Sequence, residues 1–143
     1  MLNGQIVLVT GASRGIGNAI ALTLGEAGAT VIGTATTEEG ADNISKIFSE
    51  SDILGKGMKL NITDNDQITD LLKVVSDEFG SVDILINNAG ITRDNILVRM
   101  KAEEWDDIIN TNLSSVFKMS KAVLRGMITV SYTHLTLPTS DLV

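Results

Sequence analysis

The sequence contains no cysteine and only one histidine, one proline, one tryptophan and one tyrosine. Without cysteine, a disulfide framework and thiolate chemistry are excluded. One histidine is too few for a His-rich metal site, so we expect no bound metal. No apolar run approaches the ~18 residues that a membrane span needs, and the first residues form no signal segment. We therefore expect a cytoplasmic protein without a membrane partner.

Positive charge is also scarce in this chain. Eleven lysines and arginines stand against 18 acidic residues, which gives a net charge of −7 at pH 7. This is the wrong sign for contact with a phosphate backbone, so we expect no nucleic-acid partner. What is present is a chain of 143 residues, 43% of them hydrophobic, which suits one compact domain and is too short for two.

Short apolar segments alternate with helical patterns along the chain. The predicted strands are Gln5–Thr10, Thr30–Ala35, Lys56–Leu60 and Val82–Asn87. The predicted helices are Ile16–Gly28, Ala41–Phe48, Thr63–Gly80 and Glu103–Met127. Thr63 and Asp66 have the spacing of a capping box, and one apolar stripe runs from Trp105 to Met127. This alternation with short links predicts an α/β fold with a parallel sheet and right-handed crossovers.

A glycine-rich turn joins the first predicted strand to the first predicted helix. Its glycines, Gly11, Gly15 and Gly17, have the spacing G-x-x-x-G-x-G. Gly11 can make the tight turn, Gly15 can allow close approach of a pyrophosphate, and Gly17 can allow close packing of helix on strand. The alternative is a glycine-rich turn without a ligand, but the strand before it and the helix after it favour a dinucleotide. A P-loop is excluded because no Gly-Lys-Ser/Thr follows.

The second predicted strand ends without an acidic residue. An acid at this point usually binds the ribose 2′-hydroxyl, but here the chain reads Thr34-Ala35-Thr36-Thr37. Arg14, within the glycine turn, can supply a cation to the same region. Hydroxyls and a guanidinium favour a 2′-phosphate, and so NADP over NAD, although a solvated surface charge is the alternative role of Arg14.

Two further groups of polar residues are candidates for a site. Asn87, Asn88, Ala89 and Gly90 end the fourth predicted strand, where ligands bind in open α/β sheets. The two asparagines are equally compatible with simple turn chemistry, while small residues beside them let a flat ring approach. Asn112 lies on the apolar stripe of the last helix, so its amide is expected to face inward. There it bonds either a loop, a buried water or a site group.

Together these motifs resemble the short-chain dehydrogenase/reductase family, and within it the bacterial 3-oxoacyl-[acyl-carrier-protein] reductases. The resemblance covers Met1 to about Ile128. Its carrying segments are Leu8–Gly17, Val31–Thr36, Asp83–Asn95 and Asn110–Phe117. It implies a Rossmann-type, doubly wound parallel sheet, here truncated after about four strands. It also implies NADP as cofactor, with NADPH as its reducing form.

The resemblance assigns roles to individual residues. It implies that the NADP phosphates are held by Gly11, Ala12, Ser13 and Arg14, within the turn that continues through Gly15, Ile16 and Gly17. Thr36 would lie near the 2′-phosphate, Asn61 and Ile62 would flank the adenine, and Asn88, with Ala89 and Gly90, would contact the cofactor ribose. Asn112 would be the catalytic residue that positions a water in the proton relay. An acyl-carrier-protein thioester is the implied partner, and full-length relatives are expected to be homotetramers.

The implied reaction is NADPH-dependent reduction of a 3-oxoacyl-[acyl-carrier-protein] to the 3-hydroxyacyl product in fatty acid biosynthesis. In the family, a Ser orients the ketone, a Tyr donates the proton, and a Lys four residues later assists the Tyr. Here Tyr132 is followed four residues later by Thr136, and no Lys or Arg occurs after Arg125. We therefore expect an inactive chain. The alternatives are a dinucleotide-binding fragment without catalysis and an unstable, non-functional gene fragment.

The last segment differs in character from the rest. Residues 129–143 hold the only Tyr, His and Pro of the chain and no Lys or Arg. Residues 129–139 resemble the translation of a transposase-type sequencing-library adapter, and the alternative is a genuine divergent terminus. We expect an incomplete NADP-binding domain over residues 1–128, followed by a non-native tail over residues 129–143 that is disordered or loosely docked. A β-prone stretch, Val130–Leu137, could pair as a surrogate strand.

Overall fold

A computed structural model describes residues 1–90, 97–129 and 135–136. The strands of its sheet are β1 Ile6–Val9, β2 Thr30–Ala35, β3 Gly55–Lys59, β4 Ile84–Ile86 and β5 Leu135–Thr136. The α-helices are α1 Gly15–Glu26, α2 Glu38–Glu50, α3 Asn65–Glu78, α4 Ala102–Ile109 and α5 Ser115–Thr129. A 3-10 turn at Leu97–Arg99 precedes α4, and a π-helical segment at Asn110–Ser114 joins α4 to α5.

The sheet is parallel throughout and has the order β3-β2-β1-β4-β5. β1 is central, because β2 pairs on one side of it and β4 on the other. The chain therefore changes its direction across the sheet at β1, and in open α/β sheets ligands bind beside such a point, at the carboxyl ends of the strands. This arrangement confirms the predicted Rossmann-type, doubly wound α/β fold.

Both faces of the sheet are covered, as the near-continuous apolar strands require. Along β1, Ile6 and Leu8 pack on one face and Val7 and Val9 on the other, because successive side chains of a strand point in opposite directions. One face packs against α3 and α5. The other packs against α1 and α2, where Phe48 of α2 is fully buried.

The ends of the first three helices follow from local chemistry. Thr37 caps α2 by accepting a hydrogen bond from the N–H of Gly40, and Gly28 follows α1 with a φ of +99°. The predicted capping box at Thr63 is wrong. Asp64 caps α3 instead, accepting from the N–H groups of Asp66 and Gln67, because an Asp side chain here reaches both.

The single helix predicted over Glu103–Met127 is present and continuous from Ala102 to Thr129, but a π-helical segment interrupts its α-helical turns. The wider turns of Asn110–Ser114 shift the phase of the apolar stripe. Met119 and Val123 of α5 are consequently in the core, whereas Trp105 and Ile109 of α4 are exposed. No residue of α4 is buried.

A short strand extends the sheet beyond the four predicted strands. Leu135 and Thr136 pair in parallel with Leu85 and Ile86 of β4. This pairing lies within the stretch named above as a surrogate strand. Apart from Thr129, Leu135 and Thr136, the proposed tail over residues 129–143 lies outside the described residues, so its foreign origin stays a prediction. None of the described helices combines the length and apolar character that crossing a bilayer requires.

Candidate functional site

The glycine-rich turn packs directly against the loop that follows β4. Gly11 has a φ of +66°, and a Cβ atom there would lie 2.9 Å from the Cα of Ala89. A Cβ at Gly17 would collide with the carbonyl oxygen of Gly11 and would lie 2.5 Å from Nδ2 of Asn88. The sequence suggested that Gly17 lets the helix pack closely on the strand. In the structure it lets the start of α1 approach the glycine turn and Asn88.

Two buried threonines hold this turn from opposite sides. Thr10 Oγ1 accepts hydrogen bonds from the N–H groups of Asn88, at 3.1 Å, and Ala89, at 3.0 Å. On the other side, Thr34 Oγ1 accepts from the N–H of Gly11 at 3.2 Å. Each threonine is only 1% exposed. The turn is thus fixed to β2 and to the segment after β4 through side-chain hydroxyls.

Asn88 completes this arrangement. Its Nδ2 donates to the carbonyl oxygen of Gly11 at 2.9 Å, so the amide bridges the loop after β4 and the glycine turn. The neighbouring Asn87 is buried, and its Nδ2 lies 3.5 Å from Oγ of Ser120 on α5. The two asparagines therefore have separate structural contacts, of which only that of Asn88 is at the turn.

A cavity of about 250 Å³ opens beside the turn, at the carboxyl ends of the strands. Its lining residues are Gly11, Thr34, Ala35, Thr36, Leu60, Asn61, Ile62, Thr63, Ala89, Gly90, Asp107 and Thr111. These come from the ends of β1 and β2, the segments after β3 and β4, and the helical region around α4. The wall is mostly apolar with a few polar groups, as in sites that bind flat organic ligands.

Six of the predicted site residues line this cavity. They are Gly11, Thr36, Asn61, Ile62, Ala89 and Gly90. The other predicted residues lie around it. Ala12 is buried beneath the turn, whereas Ser13, Arg14, Gly15, Ile16 and Gly17 form the passage into α1, and of these Arg14, Gly15 and Ile16 are exposed. Asn88 acts behind the turn through its bond to Gly11.

Asn112 lies within the π-helical segment and close to the loop after β4. A Cβ at Gly90 would be 2.7 Å from Oδ1 of Asn112, so the amide faces this loop as expected from the sequence. Asn112 itself is half-buried rather than buried. The absence of a side chain at Gly90 is what permits the contact.

The sequence reasoning missed several lining residues, including Leu60, Asp107 and Thr111. Thr34 was named only as part of the hydroxyl-rich end of β2, and it lines the cavity together with Thr36. Asp107 and Thr111 are one helical turn apart and share a face. They were missed because the apolar stripe placed the inward face of the helix one position further along.

The start of α1 fits an anionic group. The N-cap residue, Arg14, is extended and makes no side-chain capping bond, and the first N–H groups of a helix have no acceptor within it. Such N–H groups, with the positive end of the helix dipole, bind phosphates. The glycine turn leaves no room for a Cβ at Gly11 or Gly17. The site residues therefore fit a dinucleotide, because the turn offers N–H groups to an anion and a cavity lies beside it. Within the described part of the chain, no cluster of three or more His, Cys, Asp or Glu could hold a metal ion.

The parallel sheet, the glycine turn and the cavity at the strand ends define a Rossmann-type dinucleotide-binding protein. The family model for short chain dehydrogenases matches residues 5–134, and the chain belongs to this family. Membership implies a nicotinamide dinucleotide cofactor.

Individual relatives narrow the lineage. The chain is 64% identical over 126 residues to the 3-oxoacyl-[acyl-carrier-protein] reductase FabG of Vibrio harveyi, which covers 88% of this chain and 50% of that protein. It is 63% identical over 124 residues to the enzyme of the same name from Escherichia coli, covering 87% and 50%. The Pseudomonas aeruginosa enzyme of this name is 52% identical over 126 residues, covering 88% and 51%. The chain thus spans about half the length of these relatives.

Proposed function

We propose that this chain binds NADP(H) and is the cofactor-binding part of a 3-oxoacyl-[acyl-carrier-protein] reductase. The observation that carries this proposal is the cavity beside the glycine turn, built at the point where the sheet order changes direction. The names of the relatives support the reaction: reduction of a 3-oxoacyl thioester, carried by an acyl-carrier protein, to the 3-hydroxyacyl thioester in fatty acid biosynthesis. A cytoplasmic location and a homotetrameric full-length protein belong to the same proposal.

The preference for NADP rests on the end of β2. No acid lines the cavity there; Ala35 and Thr36 do. The glycine turn reaches the same place, since a Cβ at Gly40 would lie 2.8 Å from Cβ of Ala35 and 3.8 Å from Cβ of Ser13. The exposed Arg14 follows Ser13 directly. A guanidinium and hydroxyls at this point suit a 2′-phosphate, whereas a carboxylate would suit a free 2′-hydroxyl.

Arg14→Ala tests this preference. We expect affinity for NADP to fall about three- to tenfold, with little change for NAD, because one exposed charge-assisted hydrogen bond is lost. Fluorescence titration with NADPH and NADH measures both affinities on the same preparation. Arg99→Ala is the matched control, since Arg99 lies in the 3-10 turn and does not line the cavity. Equal losses for the two cofactors would contradict the assignment of Arg14.

We expect the polypeptide of these 143 residues to bind NADPH but not to reduce a substrate. The cofactor supplies a hydride when bound, and the family's proton donor is a Tyr with a Lys four residues later. In this chain Thr136 stands four residues after Tyr132, so the family's Lys is missing at that spacing. Tyr132 itself lies outside the described residues. The role of Asn112 in the proton relay is what the family resemblance implies; its amide lies beside Gly90, in the loop after β4.

The experiment that tests the function uses two measurements on one sample. Titration with NADPH is expected to show saturable binding. An assay with an acetoacetyl thioester is expected to show no NADPH oxidation above the enzyme-free rate, while a full-length relative serves as positive control. Absence of saturable binding would refute the proposed cofactor function. Turnover of ~1 s⁻¹ or more would refute the expected inactivity, because this is an ordinary enzymatic rate.

A further inference from the structure

We infer that Thr34 is a positioning residue for the cofactor phosphates, acting through Gly11 rather than by contact with the phosphates. This inference rests on the proposed function. Thr34 bonds to the turn twice: its Oγ1 accepts from the N–H of Gly11 at 3.2 Å, and its carbonyl oxygen accepts from the N–H of Ala12 at 2.8 Å. One residue of β2 thus fixes two consecutive peptide units of the glycine turn.

The burial of Thr34 explains why its hydroxyl has this role. The residue is only 1% exposed, and its backbone is held by the pairing of β2 with β3, where Thr34 lies opposite Met58. A hydroxyl on a buried strand has little freedom to move, so its hydrogen bond determines where the Gly11 peptide lies. The next peptides lead into α1, whose first N–H groups would hold the phosphates.

Thr36, the residue directly after β2, provides the contrast. Both threonines line the cavity, but Thr36 is exposed, whereas Thr34 is only 1% exposed and its hydroxyl is already bonded to the N–H of Gly11. Thr36 is therefore placed to touch the ligand, whereas Thr34 acts on the turn. Loss of the Thr34 hydroxyl should therefore weaken binding of the phosphates at the turn. Loss of the Thr36 hydroxyl should weaken binding of the 2′-phosphate.

Amide hydrogen exchange tests the structural step directly. In Thr34→Val the N–H of Gly11 loses its acceptor, so its exchange is expected to be faster. The N–H of Ala12 keeps its bond to the Thr34 carbonyl and is the internal control. Thr34→Ser retains the hydroxyl and should restore slow exchange at Gly11. In the unaltered chain, an unprotected Gly11 amide would overturn the inference even if Thr34→Val does not fold.

Ligand titrations test the functional step. Thr34→Val is expected to weaken ADP and NADP about two- to tenfold, the range for one neutral hydrogen bond, and to leave adenosine unchanged. Thr34→Ser should keep the unaltered affinities, and Thr36→Val should weaken NADP more than ADP. Heteronuclear NMR titration measures the weak binding of adenosine.

The outcomes distinguish the positioning role of Thr34 from the proposed cofactor binding. If Thr34→Val weakens adenosine as much as ADP, the residue contacts the ligand directly and the positioning role is wrong. If ADP and NADP bind equally well to Thr34→Val and to the unaltered chain, the positioning role is also wrong while the proposed function stands. If the unaltered chain binds neither ADP nor NADP, the proposed function fails, and the positioning role fails with it.

Discussion

Replacement of Thr10 by valine tests how strongly a single hydroxyl holds the glycine turn to the rest of the fold. Valine has nearly the same shape but no oxygen. The N–H groups of Asn88 and Ala89 then lose their common acceptor, and the carbonyl oxygen of Ile86 loses a donor at 3.4 Å. The change therefore removes hydrogen bonds without creating a cavity.

The magnitude follows from the burial of these groups. A buried N–H left without an acceptor costs about 1–3 kcal/mol. Thr10 is 1% exposed, but Asn88 and Ala89 are half-buried, so the lower part of this range applies to each N–H. We expect a loss of about 2–4 kcal/mol in the free energy of unfolding, which is a large share of the ~5–15 kcal/mol typical of a domain.

Urea unfolding followed by circular dichroism measures this loss. Thr10→Ser is the matched control, because it keeps the hydroxyl and removes one methyl group, at a cost of about 1 kcal/mol. The slope of the unfolding free energy with urea should be the same for all three proteins, since their folded surfaces are alike. Equal stability of the valine and serine variants would refute the reasoning, because it would show that the hydroxyl contributes nothing.

Three other substitutions have clear expectations. Gly17→Ala places a Cβ 2.5 Å from Nδ2 of Asn88 and should reduce NADPH affinity at least about tenfold in a fluorescence titration, since the turn must shift. Gly126→Ala, within α5 and with open space around it, should instead raise the unfolding free energy by about 0.5–1 kcal/mol, and a loss would contradict this. Lys56→Ala breaks the exposed ion pair with Glu78 and should change stability by less than about 1 kcal/mol in urea, whereas a larger loss would show a stronger pair than its exposure allows.

Much of the fold could be predicted from the sequence, because the residue patterns that mark its strands and helices are local. β2 was predicted at its observed bounds, and β1 and β4 differ from prediction only at their ends, since short apolar runs beside glycines are characteristic of buried parallel strands. The π-helical segment before α5 could not be predicted. Its sequence, Asn110–Ser114, still fits a helical pattern, and one widened turn changes which residues face inward without altering composition.

The site was predicted only where a motif marks it. Gly11 was predicted because a tight turn favours glycine, and Gly90 because small residues at a strand end let a ligand approach the backbone; both line the cavity. Thr34 and Thr10 were not assigned hydrogen-bonding roles, since their partners lie 23 residues or more away along the chain. Such pairings depend on the strand order, which a single sequence does not specify.

The strand order also determines how strongly ligand binding is coupled to the stability of the fold. The walls of the cavity come from β2, from the segments after β1, β3 and β4 and from the region around α4. Along the chain, three helices and two strands separate β4 from β1, its neighbour in the sheet. An unfolded chain therefore has no comparable affinity for a dinucleotide. A ligand present at 100 times its dissociation constant should add about 2.7 kcal/mol to stability, so the melting temperature of this chain becomes a measure of cofactor concentration.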